Sequence, residues 1–193
     1  MMKIRTMVYA ALFAAIMGAL GLLPPIVTPF TPVPITAQTL GVMLAGSILG
    51  AKRGGLSLLL FVLLVCFGAP LLAGGRGGLG VLFGPSGGYI LSYPLAAFLI
   101  GFLVERFWNK MNIGLYLAIH VIGGVLLVYA FGVTYLSFIT ETPWTKAMFA
   151  AFIFIPGDLV KVVIASLLSR QINRVYPLID KEKRGSNKIS SVA

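Results

Sequence analysis

Asp158 and Lys161 stand three residues apart inside residues 147–168, the last long apolar stretch of the chain. On an α-helix that spacing puts both on one face. A charge in the middle of a membrane helix costs about 2.5–3.5 kcal/mol on insertion scales, and residues that bear it usually face a cavity or a partner. An acid and a base at that depth read most simply as the wall of a polar pocket. The other reading is a structural ion pair that locks the helix. Buried pairs often break even against apolar replacements, so ligand contact is the stronger of the two. The remaining reactive residues are sparse. A single cysteine, Cys66, forms no intrachain disulfide. With a single histidine, His120, it makes no usual zinc site. His120 sits in an apolar helix, where packing or an interhelical hydrogen bond accounts for it. No nucleophile–base pair is visible, so the chain does not read as an enzyme, and no cofactor is implied.

The elements that carry these residues are membrane helices. The 193 residues are only 10% charged, against about 25% for a soluble domain, and the mean hydropathy is +0.99. Apolar runs cover residues 7–23, 37–49, 56–67, 89–104, 113–138 and 147–168. A full span needs about 20 residues. The second and third runs fall short and borrow flanking Gly, Pro, Thr and Ser, or are partly irregular where they line a cavity. The expected fold is an all-α integral membrane domain over residues 1–193. Six spans are expected at approximately 7–23, 37–51, 55–70, 88–105, 113–138 and 146–169, with a basic tail at 170–193.

The net charge of +10 does not point to nucleic acid, because its distribution follows the membrane. With the N-terminus inside, Lys3, Arg5, Lys52, Arg53, Arg106, Lys110 and the tail's basic residues all fall inside. Arg76 and Lys146 fall outside, and Lys161 lies within the membrane. This is the positive-inside pattern, and it makes both termini cytoplasmic. The basic tail favours anionic lipid or an acidic cytoplasmic partner. Residues 7–23 resemble a signal-peptide core after Lys3 and Arg5 but end at Pro24-Pro25 without a small-x-small cleavage site, so a retained first helix is expected.

The outer connections are the distinctive ones. Residues 24–36, PPIVTPFTPVPIT, are proline-rich and expected to be extended and rigid. Residues 68–88 are glycine-rich and, with the first segment, suggest a lid over a mouth. Gly75-Arg76-Gly77-Gly78-Leu79-Gly80 matches G-x-G-x-x-G, but it lacks the strand, helix and following acid of a dinucleotide site. Ala10, Ala14 and Gly18 recur every four residues, with Ala11 and Ala15 beside them. Such a face serves either packing within the bundle or docking of another membrane subunit. Trp108, Trp144, Tyr93 and Tyr135 lie near span ends and read as interfacial anchors.

Taken together, several segments resemble the BioY family, the biotin-binding S components of energy-coupling-factor (ECF) vitamin transporters. They are PVPIT-x-Q (residues 32–38), GVMLAGSILG within residues 40–50, GGRGG (74–78), GPSGGY (84–89) and PGDLVK (156–161), which carries the D-x-x-K pair. Each piece is weak alone; their order and spacing are specific. The resemblance implies a six-helix bundle in a bacterial-type cytoplasmic membrane, with a vitamin pocket near the outer face roofed by residues 32–38 and 74–88. It also implies a coupling subunit and two cytoplasmic ATPases as partners, with Ala10, Ala14 and Gly18 as the docking face. Biotin offers a ureido ring with N–H donors and a carbonyl, an apolar ring and chain, and a carboxylate. Asp158 and Lys161 match the ureido head. Arg76 matches the carboxylate, since a guanidinium grips it bidentately, and it substitutes for the basic residue the family often has where Ile90 stands. Gln38, Gly75, Ser86 and Tyr89 supply further polar or close contacts, and Phe83, Leu82 and Val81 apolar walls. The alternatives are a self-sufficient, proton-linked transporter using Asp158, or an S component for another small vitamin.

Overall fold

Helices and one small hairpin make up the computed structural model, which describes residues 4–179. In chain order they are α1 (Ile4–Gly21), β1 (Ile26–Thr28), β2 (Thr31–Ile35), α2 (Gln38–Leu49), α3 (Ala51–Cys66), the single turn α4 (Leu79–Leu82), α5 (Gly87–Arg106), α6 (Ile113–Ile139) and α7 (Trp144–Val175). Four of these, α1, α5, α6 and α7, are long and apolar enough to cross a membrane. The sequence reading expected six spans. The difference lies in α2 and α3, which have 12 and 16 residues, short of the usual 17–25. Of the basic residues placed inside, Lys3, Lys181, Lys183, Arg184 and Lys188 lie outside the described residues.

Residues 52 and 53, expected in an inner loop, belong instead to the first turn of α3. Gly50 alone makes the corner between α2 and α3, with φ +84°, a conformation that only glycine adopts without strain. Glu105 at the end of α5 accepts from the Ala51 amide at 2.7 Å. A carboxylate at a helix N-terminus satisfies an orphan N–H and complements the helix dipole. The same corner demands a glycine across from it: a Cβ on Gly101 would lie 2.3 Å from the backbone of Gly50 and Ala51. Backbone-close packing of α2, α3 and α5 is thus the centre of the bundle, filled by the fully buried Met43, Leu58, Phe61 and Ile100.

α1 turns Ala10, Phe13, Ala14, Met17 and Gly21 inward and packs on α2 and α3. The proline-rich segment is extended, as expected, but folds back on itself as an antiparallel hairpin that pairs Ile26 with Ile35 and Thr28 with Thr31. Pro32 and Pro34 lack the N–H that a central strand would need, which suits a two-stranded ribbon with free edges. Val33 points inward and is buried. The glycine-rich segment is tied down rather than loose. Gly78 donates to the Val65 carbonyl at 2.7 Å, Leu72 and Arg76 form a bridge, and Tyr135 of α6 donates to the Leu82 carbonyl at 2.8 Å.

Two irregularities re-aim side chains. α6 runs as a π-helix over Val121–Leu127, and α7 tightens to a 3-10 turn over Phe152–Phe154. Single π-turns in helices recur at functional sites, because an extra residue in the turn rotates the downstream side chains about the axis. The π-helical stretch precedes Val128 and Tyr129, and the 3-10 turn precedes Asp158.

Candidate functional site

Asp158 lies in the first turn of the helical segment Ile155–Val175, where the dipole favours a negative charge. It is 3% exposed, and three side chains donate to it. Lys161 reaches Oδ1 at 2.7 Å, Thr39 reaches Oδ1 at 3.2 Å, and Tyr129 reaches Oδ2 at 2.5 Å. Lys161 also donates to the Thr39 hydroxyl at 3.0 Å. The α7 pair is therefore joined to α2 and α6 in one charge-assisted cluster, of the kind whose bonds are shorter and stronger than neutral ones.

The cluster forms one side of a cavity. Val33, Pro34, Ile35 and Thr36 cover it, Tyr89 and Tyr93 of α5 face it, and Val128, Tyr129 and Phe154 complete the wall. Phe154 meets both Tyr89 and Tyr129 edge-on, with centroids 6.2 and 6.3 Å apart. The Tyr89 hydroxyl is buried without a hydrogen-bond partner among the described residues. A hydroxyl in that state is costly unless something completes it. The cavity volume is about 40 Å³. One water needs roughly 10–15 Å³ on this measure, so the site as it stands has room for waters and not for a bicyclic ligand.

Spare bonding capacity defines what the site can do. A carboxylate has about four lone-pair sites and an ammonium three donors. Asp158 has three of its sites engaged, and Lys161 has two donors engaged, on Asp158 and Thr39. The remainder is an acceptor on Asp158, a donor on Lys161 and the Tyr89 hydroxyl, beside aromatic and proline surfaces. That set suits a neutral, planar amide-like group presenting N–H and C=O together.

Of the residues read from the sequence as ligand contacts, Asp158, Lys161 and Tyr89 line the cavity, and Gln38, Gly75, Arg76, Ser86 and Phe83 do not. Gln38 is 2% exposed and donates to the carbonyls of Met17 at 3.2 Å and Leu71 at 3.0 Å, tying α1 and the glycine-rich segment to α2. Arg76 donates through Nε to the Ala73 carbonyl at 3.1 Å. Gly75 sits at a left-handed turn with φ +69°, Ser86 is buried just before α5, and Phe83 is 71% exposed. Tyr93, read as an interfacial anchor, is 5% exposed and lines the cavity. It follows Tyr89 by four residues, so the helical period could have placed it there. Thr39, Tyr129 and Phe154 were missed, and Tyr129 has no local signal. Ala10 and Ala14, read as a docking face, are each 3% exposed and packed inside the bundle. The outward row on α1 is Ala11, Ala15 and Ala19. His120 donates to or accepts from Ser166 at 2.8 Å, the interhelical bond expected of it.

Three of the four membrane-length helices, α5, α6 and α7, together with α2 and the hairpin, enclose a polar, part-satisfied pocket, which is the architecture of a ligand-binding membrane protein. The BioY family model matches residues 1–178, and the chain belongs to the BioY family. It is 45% identical over 180 residues to the probable biotin transporter BioY of Bacillus subtilis (strain 168), covering 93% of this chain and 96% of that one. It is 48% identical over 183 residues to the biotin transporter BioY of Rhizobium etli, covering 92% and 98%. Among solved structures, it is similar to the S-component for biotin from an ECF-type ABC transporter, with a TM-score of 0.85 and 36% identity over 89% of this chain and 92% of that one. The protein is a multi-pass membrane protein of a transporter family, not an enzyme.

Proposed function

We propose that this chain captures biotin as the S component of an ECF-type uptake transporter in the cell membrane. The observation that carries this reading is the unspent hydrogen-bonding capacity of Asp158, Lys161 and Tyr89 beneath the hairpin. The ureido ring of biotin presents an N–H to Asp158 and its carbonyl to Lys161, while Val33, Phe154 and the tyrosine rings hold the apolar bicycle. In this reading α1, α2, α3, α5, α6 and α7 are six membrane helices, both termini are cytoplasmic, and the pocket opens to the outer face. The cavity of about 40 Å³ requires the β1–β2 hairpin to lift before biotin enters. Arg76, on the neighbouring glycine-rich segment, is then the candidate for the carboxylate once the mouth is open.

The chain is expected to depend on a coupling subunit and two cytoplasmic ATPases. Lys/Arg-rich inner ends and the exposed Ala11, Ala15 and Ala19 support such a partnership, because small residues on a lipid-facing helix allow close helix approach. Calorimetry on the purified chain in detergent tests the ligand: saturable biotin binding with no response to thiamine or riboflavin is the expected result. No binding by folded, ligand-stripped protein would remove biotin from the reading. Replacing Ala15 by Leu is expected to abolish uptake by the assembled transporter while leaving biotin affinity intact. Uptake by the chain alone in liposomes, driven by a proton gradient, would instead make it a self-sufficient transporter.

A further inference from the structure

A second polar site lies at the far end of α7. Asn173 follows Asp158 by fifteen residues on one continuous helix, about 22 Å along its axis at 1.5 Å per residue. Arg170, Asn173 and Arg174 there face Tyr116 of α6 and Trp108 and Met111 of the α5–α6 connection. Together these six residues line an open cleft of about 350 Å³. Arg170 and Arg174 are one turn apart on the same face, and both line the cleft. None of the residues lining the cleft is acidic.

Its floor is built. Asn173 is 6% exposed, and its Nδ2 donates to the Ser47 carbonyl and the Tyr116 hydroxyl, both at 2.9 Å. Ser47 in turn bonds Ser169 at 2.6 Å, which fixes the amide against α2. The Asn173 Oδ1 is left buried with no partner among the described residues. It is an acceptor without a donor, in the same cleft as two arginines for which no ion pair is formed among the described residues. A ligand satisfying both carries a negative charge and, a few atoms away, a hydroxyl or ammonium group.

A second groove of about 270 Å³ adjoins the first and shares Arg170 and Arg174, but its other walls are Leu167, Gln171 and Val175. Leu167 and Val175 are 53% and 79% exposed. The arginines therefore stand between a polar cleft and an apolar outer surface. A soluble phosphate ester would use only the cleft, whereas a glycerophospholipid uses both, its headgroup in the cleft and an acyl chain along the groove. Trp108, beside them, has the amphipathic ring that settles at headgroup depth.

We infer that this cleft is a binding site for an anionic glycerophospholipid, with Arg170 and Arg174 on the phosphate and the Asn173 Oδ1 on a headgroup hydroxyl or ammonium. It is independent of the vitamin pocket. Basic pockets between membrane helices hold such headgroups, and each basic residue near an anionic surface strengthens binding by roughly fivefold. Occupancy would brace α6 against α7 at the end opposite Asp158.

The test uses Trp108 as reporter in the full chain carrying Trp144→Phe, reconstituted in phosphatidylcholine nanodiscs. Acyl-brominated phosphatidylglycerol is titrated beside brominated phosphatidylcholine of the same chains. Phosphatidylglycerol is expected to quench Trp108 at a roughly ten- to thirty-fold lower mole fraction. Arg170→Gln with Arg174→Gln should bring its curve onto that of phosphatidylcholine, and the paired Lys substitutions should retain most of the preference. Glycerol 3-phosphate is expected to give no protection up to millimolar concentration. Equal quenching by the two lipids in the unsubstituted cleft, a comparison that needs no arginine variant, would overturn the inference. So would a preference that survives loss of both arginines, or full protection by micromolar glycerol 3-phosphate, which would assign the cleft to a soluble phosphate ester.

Discussion

Asp158 and His120 are both buried ionisable residues in this bundle, and they are built to opposite ends. Asp158 is ringed by donors from three helices, faces a cavity and still has an acceptor site unspent. His120 is fully buried and bonded across to Ser166 at 2.8 Å; it lines neither the pocket under the hairpin nor the cleft and groove at the far end of α7. Ser166 also bonds back to the Val162 carbonyl of its own helix at 2.7 Å, so the Nδ1–Ser166 bond ties α6 to α7, while Nε2 is buried with no partner among the described residues. The difference separates a polar group that holds helices together from one that is kept available. Burial, an ionisable side chain and some unspent bonding capacity are shared by both; only the empty volume beside Asp158 distinguishes the candidate site.

The largest effect should come from locking the mouth. Gly157 approaches the hairpin, and a Cβ there would lie 3.8 Å from Ile35 Cγ2. Ile35→Cys with Gly157→Cys, in a Cys66→Ser background, puts two thiols near the reach of a disulfide. Oxidation is expected to reduce biotin binding to near zero and reductant to restore it. Undiminished binding in the crosslinked protein would mean that the hairpin is not the gate. Next, Asp158→Asn removes a charged acceptor. Hydrogen bonds to charged groups contribute about 1.5–3 kcal/mol, so calorimetry should show affinity falling by roughly 10- to 150-fold. Unchanged affinity would make the Asp158–Lys161 pair structural, as His120 is.

Tyr129→Phe sharpens the contrast further. It deletes one donor to Asp158 but leaves the Lys161 contact, and a smaller loss of roughly five- to tenfold in affinity is expected from one bond of about 1 kcal/mol or slightly more. A loss as large as that of Asp158→Asn would show that Tyr129 touches the ligand directly. The smallest effect on binding belongs to Ser166→Ala. It should lower stability by about 1 kcal/mol, read from thermal unfolding, and leave biotin affinity within about twofold. A marked loss of affinity there would join the two regions that the structure keeps apart.

Much of the site was visible in residue order alone, for reasons that are local. Asp158 and Lys161 share a face because a helix repeats every 3.6 residues, and their depth in an apolar run makes them candidates for ligand contact. Proline at positions 32 and 34 dictated an extended segment because the ring fixes φ and removes the N–H. Hydropathy gave the membrane class for the same reason: a bilayer excludes unpaired polar groups wherever they occur.

The tertiary structure decided which residues meet. Thr39 and Asp158 are 119 residues apart and bonded; no period or spacing connects them. Tyr129 reaches the carboxylate only after the π-helical stretch Val121–Leu127 has turned α6, and nothing in its own neighbourhood announces that turn. Gln38 lies one residue before Thr39, yet a step of about 100° around the helix sends it to Met17 and Leu71 instead of the cavity. The same small rotation separates buried Ala10 and Ala14 from exposed Ala11 and Ala15. A helix repeat tells which residues share a face; which face turns inward is set by the neighbours it packs on, and those are chosen by contacts across the whole chain.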